Sequence, residues 1–512
     1  MISRRPRYCL LPIVVVVSIA ISPWAQEQRV PADPLSEVHR MAVMHSISSH
    51  TLFDYVKELS SPKYQGRLTG TPGYDAAADW TVRLLKDWKI KPGGDQGTYL
   101  QHFPNPYTLV LPGAELILHI PVPGQGEILK RYNFETEYFP GSTSDSGTVK
   151  AEVIYVGYGI TAPELGYDEY AGVDVRGRLV LVEPEVPVSP DRDADLFKKW
   201  RPYSFHDYKV RNAKEHGAAG MVYDYHIANP NCVFLKDLLL SYVSRGVVQD
   251  LLAGTGKKHD ELLQSMRTDH KPVSFATGKI MTMKNVTEHH PEGLGTNVVA
   301  LIEGTDTTLK QEAIVIGAHL DHLGLNDVLM PGAHDNASGV AVLLGAAEAL
   351  ARSGIPLKRT IVFVLFGAEE QGVKGSEYYV THPLIPNDRV KACLNLESVG
   401  RGERISAGGG KNYPWLWEII ERNNKSYVHR PVSASFTANL ARPRQDAAHF
   451  MWANIPTLSF GTSGATPLPY ATYHTTKDSP DIITPEILED LAQLVFLSAV
   501  DMANAETLSP KP

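Results

Sequence analysis

From residue 297 onward, short apolar runs alternate with a long apolar segment, and this alternation most strongly constrains the fold. Val298–Ile302, Ala313–Ile316 and Thr360–Phe366 have the length of strands and consist almost wholly of apolar residues. Ala337–Arg352 has the length of a helix and is followed by Gly354. Strands without a polar face are buried on both sides, which is typical of a mixed, largely parallel sheet flanked by helices. We therefore predict an α/β fold whose ligands bind at the carboxyl ends of the strands.

The segment from about residue 114 to residue 290 has a different character. Its β-rich runs include Leu116–Leu118, Val153–Val156 and Leu179–Val182, and turns that contain glycine separate them. The pattern predicts a strand at Gly220–Tyr223 and helical structure over residues 237–263. Because 512 residues exceed one ordinary core, we expect this segment to form a second, β-rich domain.

The N-terminus resembles a secretory signal peptide. Arg4, Arg5 and Arg7 precede the apolar run Cys9–Ile21, and Ser22–Ala25 supplies small residues before a polar segment. The alternative is a membrane anchor, but the apolar run is short for a full span. We expect residues 1–25 to be removed and the mature protein to be secreted or periplasmic, without a stable membrane span.

Charge and cysteine content exclude other classes of partner and site. The net charge is -8 over 512 residues and no long basic run occurs, so nucleic acid is not an expected partner. Of the three cysteines, Cys9 lies in the expected signal peptide. We expect Cys232 and Cys393 to be free buried thiols rather than a disulfide. A metal site in this chain must then use histidines and carboxylates.

Such side chains directly follow the predicted strands. His319 and Asp321 come after Ala313–Ile316, where the imidazole can bind a metal and the carboxylate can fix its tautomer. Glu369 and Glu370 come after Thr360–Phe366. Two adjacent acids at the end of a buried strand are costly to hold together unless cations neutralise them.

Three further residues complete a metal-binding set. Asp335 lies at the start of the helix that follows the strand Ala313–Ile316, although Asp-Asn-x-Ser-Gly is also an ordinary capping sequence. Glu397 follows an apolar run, and His474 supplies a second imidazole. Two histidines and three carboxylates suit two Zn²⁺ ions that share one carboxylate. A remaining glutamate can then accept a proton from the attacking water.

With these motifs in place, the sequence resembles metallopeptidase family 28, the zinc aminopeptidases of the aminopeptidase Y and leucyl aminopeptidase type. The matching stretches are Gly317–Gly324, Asp335–Gly339, Phe366–Glu370, Asn395–Glu397 and Tyr473–Thr475. Their order and spacing make the resemblance specific. It implies an α/β fold of the zinc-exopeptidase type.

The resemblance also implies a role for each site residue. One zinc would be held by His319, Asp335 and Glu397, and the other by Asp335, Glu370 and His474. Glu369 would be the general base, Asp321 would orient His319, and Tyr473 would help to bind the oxyanion. This chain has His334 and Glu397 where aspartates are common in the family. We interpret His334 as a rim or packing residue, and His322 and His449 as structural.

The likeness extends to the remaining chain. Gly66–Gly73 resembles the family's N-terminal segment, while Gly172–Val182 and Lys214–Gly220 resemble parts of a protease-associated domain. This implies a catalytic domain over residues 45–113 and 291–505, interrupted by an inserted protease-associated domain over residues 114–290.

The implied activity is that of an aminopeptidase acting on peptides with a free N-terminus. Three alternatives stay open at the level of sequence. These are a carboxypeptidase or dipeptidase similar to folate hydrolase, a glutaminyl cyclase-like transferase, and a binding protein that has lost catalysis. The complete ligand set and Glu369 argue against the last of these.

Overall fold

The computed structural model describes residues 36–190, 192–230, 233–437, 444–464 and 472–509. The expected signal peptide, Cys9 and Cys232 lie outside the described residues. Cys393 is buried with a free thiol. None of the described helices combines the length and apolar character needed to cross a membrane.

The larger sheet has nine strands and carries the α/β fold. Its central strand, Ala313–His319, pairs in parallel with Thr360–Phe366 on one side and Val390–Leu396 on the other. The remaining strands are Lys91–Pro92, Leu100–Pro104, Leu294–Ile302, Arg404–Gly408, Val432–Ser435 and Thr457–Ser463. Parallel neighbours bring their carboxyl ends to one edge, so His319 lies beside Phe366 and Ala318 beside Leu396. The predicted mixed, largely parallel sheet is confirmed in its central strands.

Helices cover both faces of this sheet, as the apolar strands require. Ile314 and Ile316 point into a core shared with Ser338–Arg352 and Pro485–Asn504. Val315, which alternates with them, packs in a second core on the opposite face. The other helices of this part are Glu37–Met44, Ser49–Leu59, Pro72–Asp87, Lys374–Thr381, Pro414–Asn423 and Ala447–Trp452.

A second sheet of eight strands is built wholly from residues between 114 and 290. Gly147–Tyr155, Leu179–Val182, Gly220–Tyr223 and Leu239–Val243 lie parallel in that order. Antiparallel strands complete the sheet: Glu115–Val122, Gly126–Arg131, Tyr138–Pro140 and Phe275–Asn285. Its helices are Ala194–Trp200, His206–Glu215, Arg245–Leu252 and His259–Asp269. Two small sheets complete the fold. One has four strands, namely Tyr107–Val110, Thr287–His290, Leu325–Asn326 and Val328–Leu329. The other pairs Thr161–Ala162 with Tyr167–Asp168.

Two details differ from the sequence interpretation. The predicted helical stretch over residues 237–263 was wrong at its start, because Leu239–Val243 is a strand. A short apolar run fits a buried strand and a buried helix equally, and here pairing with Gly220–Tyr223 decides for the strand. Ordered structure also precedes residue 45, since Arg40 in the helix Glu37–Met44 lies 2.7 Å from Asp501.

Candidate metal centre

Three strand ends and one helix start converge at the carboxyl edge of the nine-stranded sheet. His319 is the last residue of its strand, and Glu397 directly follows Val390–Leu396. Gly367 directly follows Thr360–Phe366, and a larger residue does not fit there, because a Cβ would lie 2.5 Å from the carbonyl oxygen of Thr296. The chain then continues to Glu369 and Glu370.

His319, Asp335 and Glu397 form one group of metal-ligand type. His319 Nε2 lies 3.2 Å from Asp335 Oδ1 and 3.2 Å from Glu397 Oε1. The His319 side chain is fully buried, while 13% of the Glu397 side chain is exposed. The longer reach of a glutamate at position 397 therefore brings its carboxylate to the imidazole.

Asp335 connects this group to a second one. His474 Nε2 lies 3.4 Å from Asp335 Oδ2 and 3.0 Å from Glu370 Oε2. The two oxygens of one carboxylate thus face two imidazoles on opposite sides. Such a carboxylate can bridge two cations.

His322 also belongs to this second group. Its Nδ1 lies 2.8 Å from Glu370 Oε1, and His322, Asp335 and Glu370 together form a further set of metal-ligand type. The side chain is fully buried and its ring meets that of His474 edge-on at 5.7 Å. The sequence interpretation treated His322 as structural, but the structure places it in the centre. Its position next to the His319–Asp321 motif was the available signal.

The buried carboxylates and imidazoles shift each other's pKa. Burial opposes a charged imidazole at His474, but Glu370 and Asp335 raise its pKa to about 10. Burial also disfavours the Glu370 carboxylate, yet His474 and His322 lower its pKa to about 2. The centre therefore holds its negative charge only when positive charge, from protons or from cations, is present beside it.

Asp321 organises the loop that carries the two adjacent glutamates. Its carboxylate accepts the backbone N–H groups of Glu369 and Glu370, each at 3.2 Å. The carboxylate is also 3.6 Å from His319 Nδ1, which lies 3.2 Å from the Asp321 backbone carbonyl. Asp321 thus contacts both the strand end and the glutamate loop.

Glu369 lies beside the metal-type groups but belongs to neither of them. Burial raises its pKa well above the ordinary value against the opposing charge of His319, and Glu397 and Glu370 add to the rise. A carboxylate with this property, next to a metal centre, has the chemistry of a general base or acid.

Two residues that had no assigned role hold the centre together. Asp478 accepts the backbone N–H groups of His334 at 2.7 Å and Asp335 at 3.0 Å. The fully buried guanidinium of Arg67 donates to backbone carbonyls in three segments, namely those of Leu59, Leu320, Pro331 and Gly332. Arg67 lies within the motif Gly66–Gly73, and Asp478 follows the motif Tyr473–Thr475 by three residues, but spacing alone does not reveal such backbone contacts.

Three other predicted residues occupy the surroundings. The Tyr473 ring stacks on His474 with 3.7 Å between centroids and is 40% exposed. His334 Nδ1 accepts the backbone N–H of Gly400 at 3.2 Å and does not join the metal-type groups. His449 stacks edge-on against Trp452 at 5.1 Å.

The eight-stranded sheet reaches the same centre. His474 Nδ1 lies 2.7 Å from the backbone carbonyl of Ala228, which follows the strand Gly220–Tyr223. Two residues later, the backbone N–H of Thr476 donates to Glu135 at 2.9 Å and its hydroxyl donates to the same carboxylate at 2.7 Å. The loop that carries His474 is thus fixed by residues of the 114–290 segment.

That segment contains a third group of metal-ligand type, formed by Glu183, Asp224 and His259. The guanidinium of Arg245 contacts His259 Nδ1 and lies 3.6 Å from Asp224. Arg245 supplies a positive charge there, so the three side chains and the guanidinium together form an ionic network.

Sequence comparison gives a family match over the part of the chain that contains the candidate metal ligands. Residues 297–499 match the sequence profile of Peptidase family M28. Aminopeptidase YwaD of Bacillus subtilis is 28% identical over 207 residues, which cover 38% of this chain and 42% of that protein. An aminopeptidase of Pseudomonas aeruginosa is 24% identical over 367 residues, which cover 70% of this chain and 59% of that protein. The chain thus matches less than half of Aminopeptidase YwaD.

Solved structures share the fold over nearly the whole chain. An aminopeptidase from Aneurinibacillus sp. strain AM-1 superposes with a TM-score of 0.64 over 92% of this chain and 98% of its own, at 21% identity. BSAP, a zinc aminopeptidase from Bacillus subtilis, superposes with a TM-score of 0.58 over 89% of this chain and 95% of its own, at 19% identity. At these identities, both similarities show a shared fold.

Proposed function

We propose that this chain is a zinc-dependent aminopeptidase, because residues 297–499 match the sequence profile of Peptidase family M28. The observation that carries the proposal is the Asp335 carboxylate, which faces His319 with one oxygen and His474 with the other. A shared carboxylate between two His-carboxylate groups is the arrangement that a two-metal hydrolytic centre requires.

The residues fit a pair of zinc ions. Among the described residues, four buried atoms of this centre make no hydrogen bond: Asp335 Oδ1, Glu397 Oε2, His322 Nε2 and His474 Nε2. The contacts of Asp335 Oδ1 and His474 Nε2 at 3.0–3.4 Å are close approaches of ligand atoms and lack hydrogen-bond geometry. Buried polar atoms are ordinarily satisfied, so unsatisfied ligand atoms from separate elements support a role in binding cations. We assign one zinc to His319, Asp335 and Glu397, and the other to Asp335, Glu370 and His474.

Bound zinc would polarise the scissile carbonyl and lower the pKa of water. The protein's own contribution begins with Glu369, which accepts a proton from the attacking water and passes it to the leaving amine. Asp321 holds the backbone of Glu369 in place, and the Tyr473 hydroxyl is assigned to the developing oxyanion. The surplus of carboxylates in the centre suits the ammonium group of a free N-terminus.

Export and domain organisation belong to the same proposal. The Arg4–Ala25 sequence supports a signal peptide and a secreted or periplasmic enzyme. The eight-stranded sheet, built wholly from the 114–290 segment, supports an inserted protease-associated domain.

Two measurements test the activity. The first compares fluorogenic aminoacyl substrates with N-acetylated peptides, before and after removal of metal with a chelator. We expect cleavage only of free N-termini, loss of activity without metal, and recovery with zinc. Cleavage restricted to N-acetylated peptides would instead assign the enzyme to the carboxypeptidases or endopeptidases.

The second measurement uses Glu369→Gln, which keeps the shape of the side chain and removes its basicity. We expect turnover to fall by about 100-fold or more while the zinc content stays unchanged. Glu377→Gln, at an exposed helix position, is the matched control. Normal turnover of the Glu369→Gln variant would refute this assignment of the base.

A further inference from the structure

A cavity of about 790 Å³ beside the eight-stranded sheet contains four arginines among its lining residues. These are Arg192, Arg201, Arg267 and Arg444, and they lie with His270, Glu185 and Asp193. Apolar residues such as Val186 and Phe197 form the rest of the wall. Arg192, Arg267 and Arg444 are exposed to solvent, whereas Arg201 is buried, so only the charge of Arg201 is shielded from water.

At least two of the arginines are held in fixed positions. Arg201 is 8% exposed, and its guanidinium lies 4.6 Å from the ring centre of Phe205 and 5.7 Å from that of Phe197. Arg267 donates from Nε to the hydroxyl of Tyr158 at 3.3 Å. Side chains that are already ordered lose little conformational entropy when a ligand binds.

The cavity contains two carboxylates against four arginines. Glu185 lies 4.0 Å from Arg444, at the limit of an ion pair. Asp193 accepts the backbone N–H of Leu196 at 2.8 Å and so caps a helix. Within the described part of the chain, Arg192 and Arg267 form no ion pair with a carboxylate.

The cavity lies on the side of the sheet that contacts the metal centre. Its residues 185–190 follow the strand Leu179–Val182, and Ala228 follows the parallel neighbour Gly220–Tyr223. Parallel strands end at the same edge, and at this edge Ala228 contacts His474. Arg444 enters from the α/β part, two positions before the buried Asp446.

We propose that this cavity binds a carboxylate of the peptide substrate while the metal centre holds the N-terminal end. The inference rests on the proposed aminopeptidase activity and adds a substrate class to it. Guanidinium groups bind carboxylates through two parallel hydrogen bonds, which arginines in a partly apolar wall favour. The carboxylate comes from the C-terminus of a short peptide or from an acidic side chain.

The double variant Arg192→Gln/Arg267→Gln tests the proposal, because both side chains are exposed at the cavity and not buried in a core. The control is Arg176→Gln, whose side chain is 80% exposed and outside the cavity. Four substrates share one N-terminal residue: an aminoacyl coumarin amide, a neutral peptide amide, the same peptide with a free C-terminus, and the amide with an internal aspartate. The kcat/KM value of each is measured on the zinc-loaded full chain.

We expect the double variant to lose about tenfold in kcat/KM for the carboxylate-bearing peptides and nothing for the two neutral substrates. If kcat/KM falls for the peptide with a free C-terminus, the terminal carboxylate is the ligand. If it falls for the peptide amide with an internal aspartate, the aspartate side chain is the ligand. Equal rates for acidic and neutral peptides in the unmodified protein, or an equal loss for all four substrates, would overturn the proposal.

A binding measurement separates this inference from the proposed activity. Calorimetric titration with N-acetylaspartyl amide, which has no free amine, needs no turnover. We expect the double variant to bind it about tenfold more weakly than the unmodified protein and the Arg176→Gln control. If none of the four substrates is cleaved, the proposed activity fails, and unchanged titrations would then refute the carboxylate site as well.

Discussion

His474 Nδ1 and the backbone carbonyl oxygen of Ala228 lie 2.7 Å apart, although 246 positions separate the two residues in the chain. The contact joins the edge of the eight-stranded sheet to an imidazole of the metal centre. A carbonyl acceptor at Nδ1 fixes the tautomer that leaves Nε2 available to a metal. The 114–290 segment therefore contributes directly to the geometry of the centre.

Glu135 provides a way to test this coupling, because it accepts both the N–H and the hydroxyl of Thr476. We expect Glu135→Ala to weaken binding of one of the two proposed zinc ions by about tenfold, the size typical for loss of a residue that supports a ligand. Competition with a chromophoric chelator measures the two affinities. Glu137→Ala is the control, because the Glu137 carboxylate accepts the backbone N–H and the side-chain amide of Asn133 within its own loop. Equal affinities in both variants would show that the loop is held by other contacts.

His322 can be tested through an isosteric pair of variants. Its Nδ1 lies 2.8 Å from Glu370 Oε1, and the Nδ2 of an asparagine at this position would lie close to the same point. We expect His322→Leu to weaken zinc binding by about 10- to 100-fold and His322→Asn to restore most of the affinity. If the His322→Leu variant binds zinc as tightly as the His322→Asn variant, the polar contact contributes nothing.

Arg67 should contribute chiefly to the stability of the fold around the centre. Its removal leaves several buried backbone carbonyls without a donor, and each such loss costs about 1–3 kcal/mol. We expect Arg67→Met to lower the free energy of unfolding by about 3 kcal/mol or more, as measured by urea denaturation. Arg83→Met, on the outer side of the helix Pro72–Asp87, is the control and should change it little.

We predict that the buried Lys209 makes the stability of the protein depend on pH. Burial lowers its pKa from 10.5 to about 7, and its ammonium group contacts the carbonyl of Tyr158. Between these two values the unfolded chain binds more protons than the folded chain, so stability should rise as the pH rises from about 7 to about 9. Thermal unfolding should show that Lys209→Met removes this rise, whereas Lys198→Met, at an exposed position, preserves it.

Much of the α/β fold could be read from the sequence because its strands are apolar on both faces. Such runs have one low-energy environment, the interior of a sheet covered by helices, and this holds without knowledge of their partners. The strand Leu239–Val243 shows where that reasoning ends. Its length and composition suit a helix as well, and only pairing with Gly220–Tyr223 decided its conformation.

The site residues also divide into those that the sequence reveals and those that only tertiary contacts reveal. His319, Glu370 and Glu397 could be singled out because each lies at or shortly after the end of a buried strand, and parallel strands bring such positions to one edge. The contacts of His322 with Glu370, and of His474 with Ala228, depend on side-chain direction and on the docking of two sheets. Sequence determines which chemical groups occur at strand ends, since that is a local property. Tertiary structure decides which of them meet, because hydrogen bonds between distant segments form only after those segments have packed.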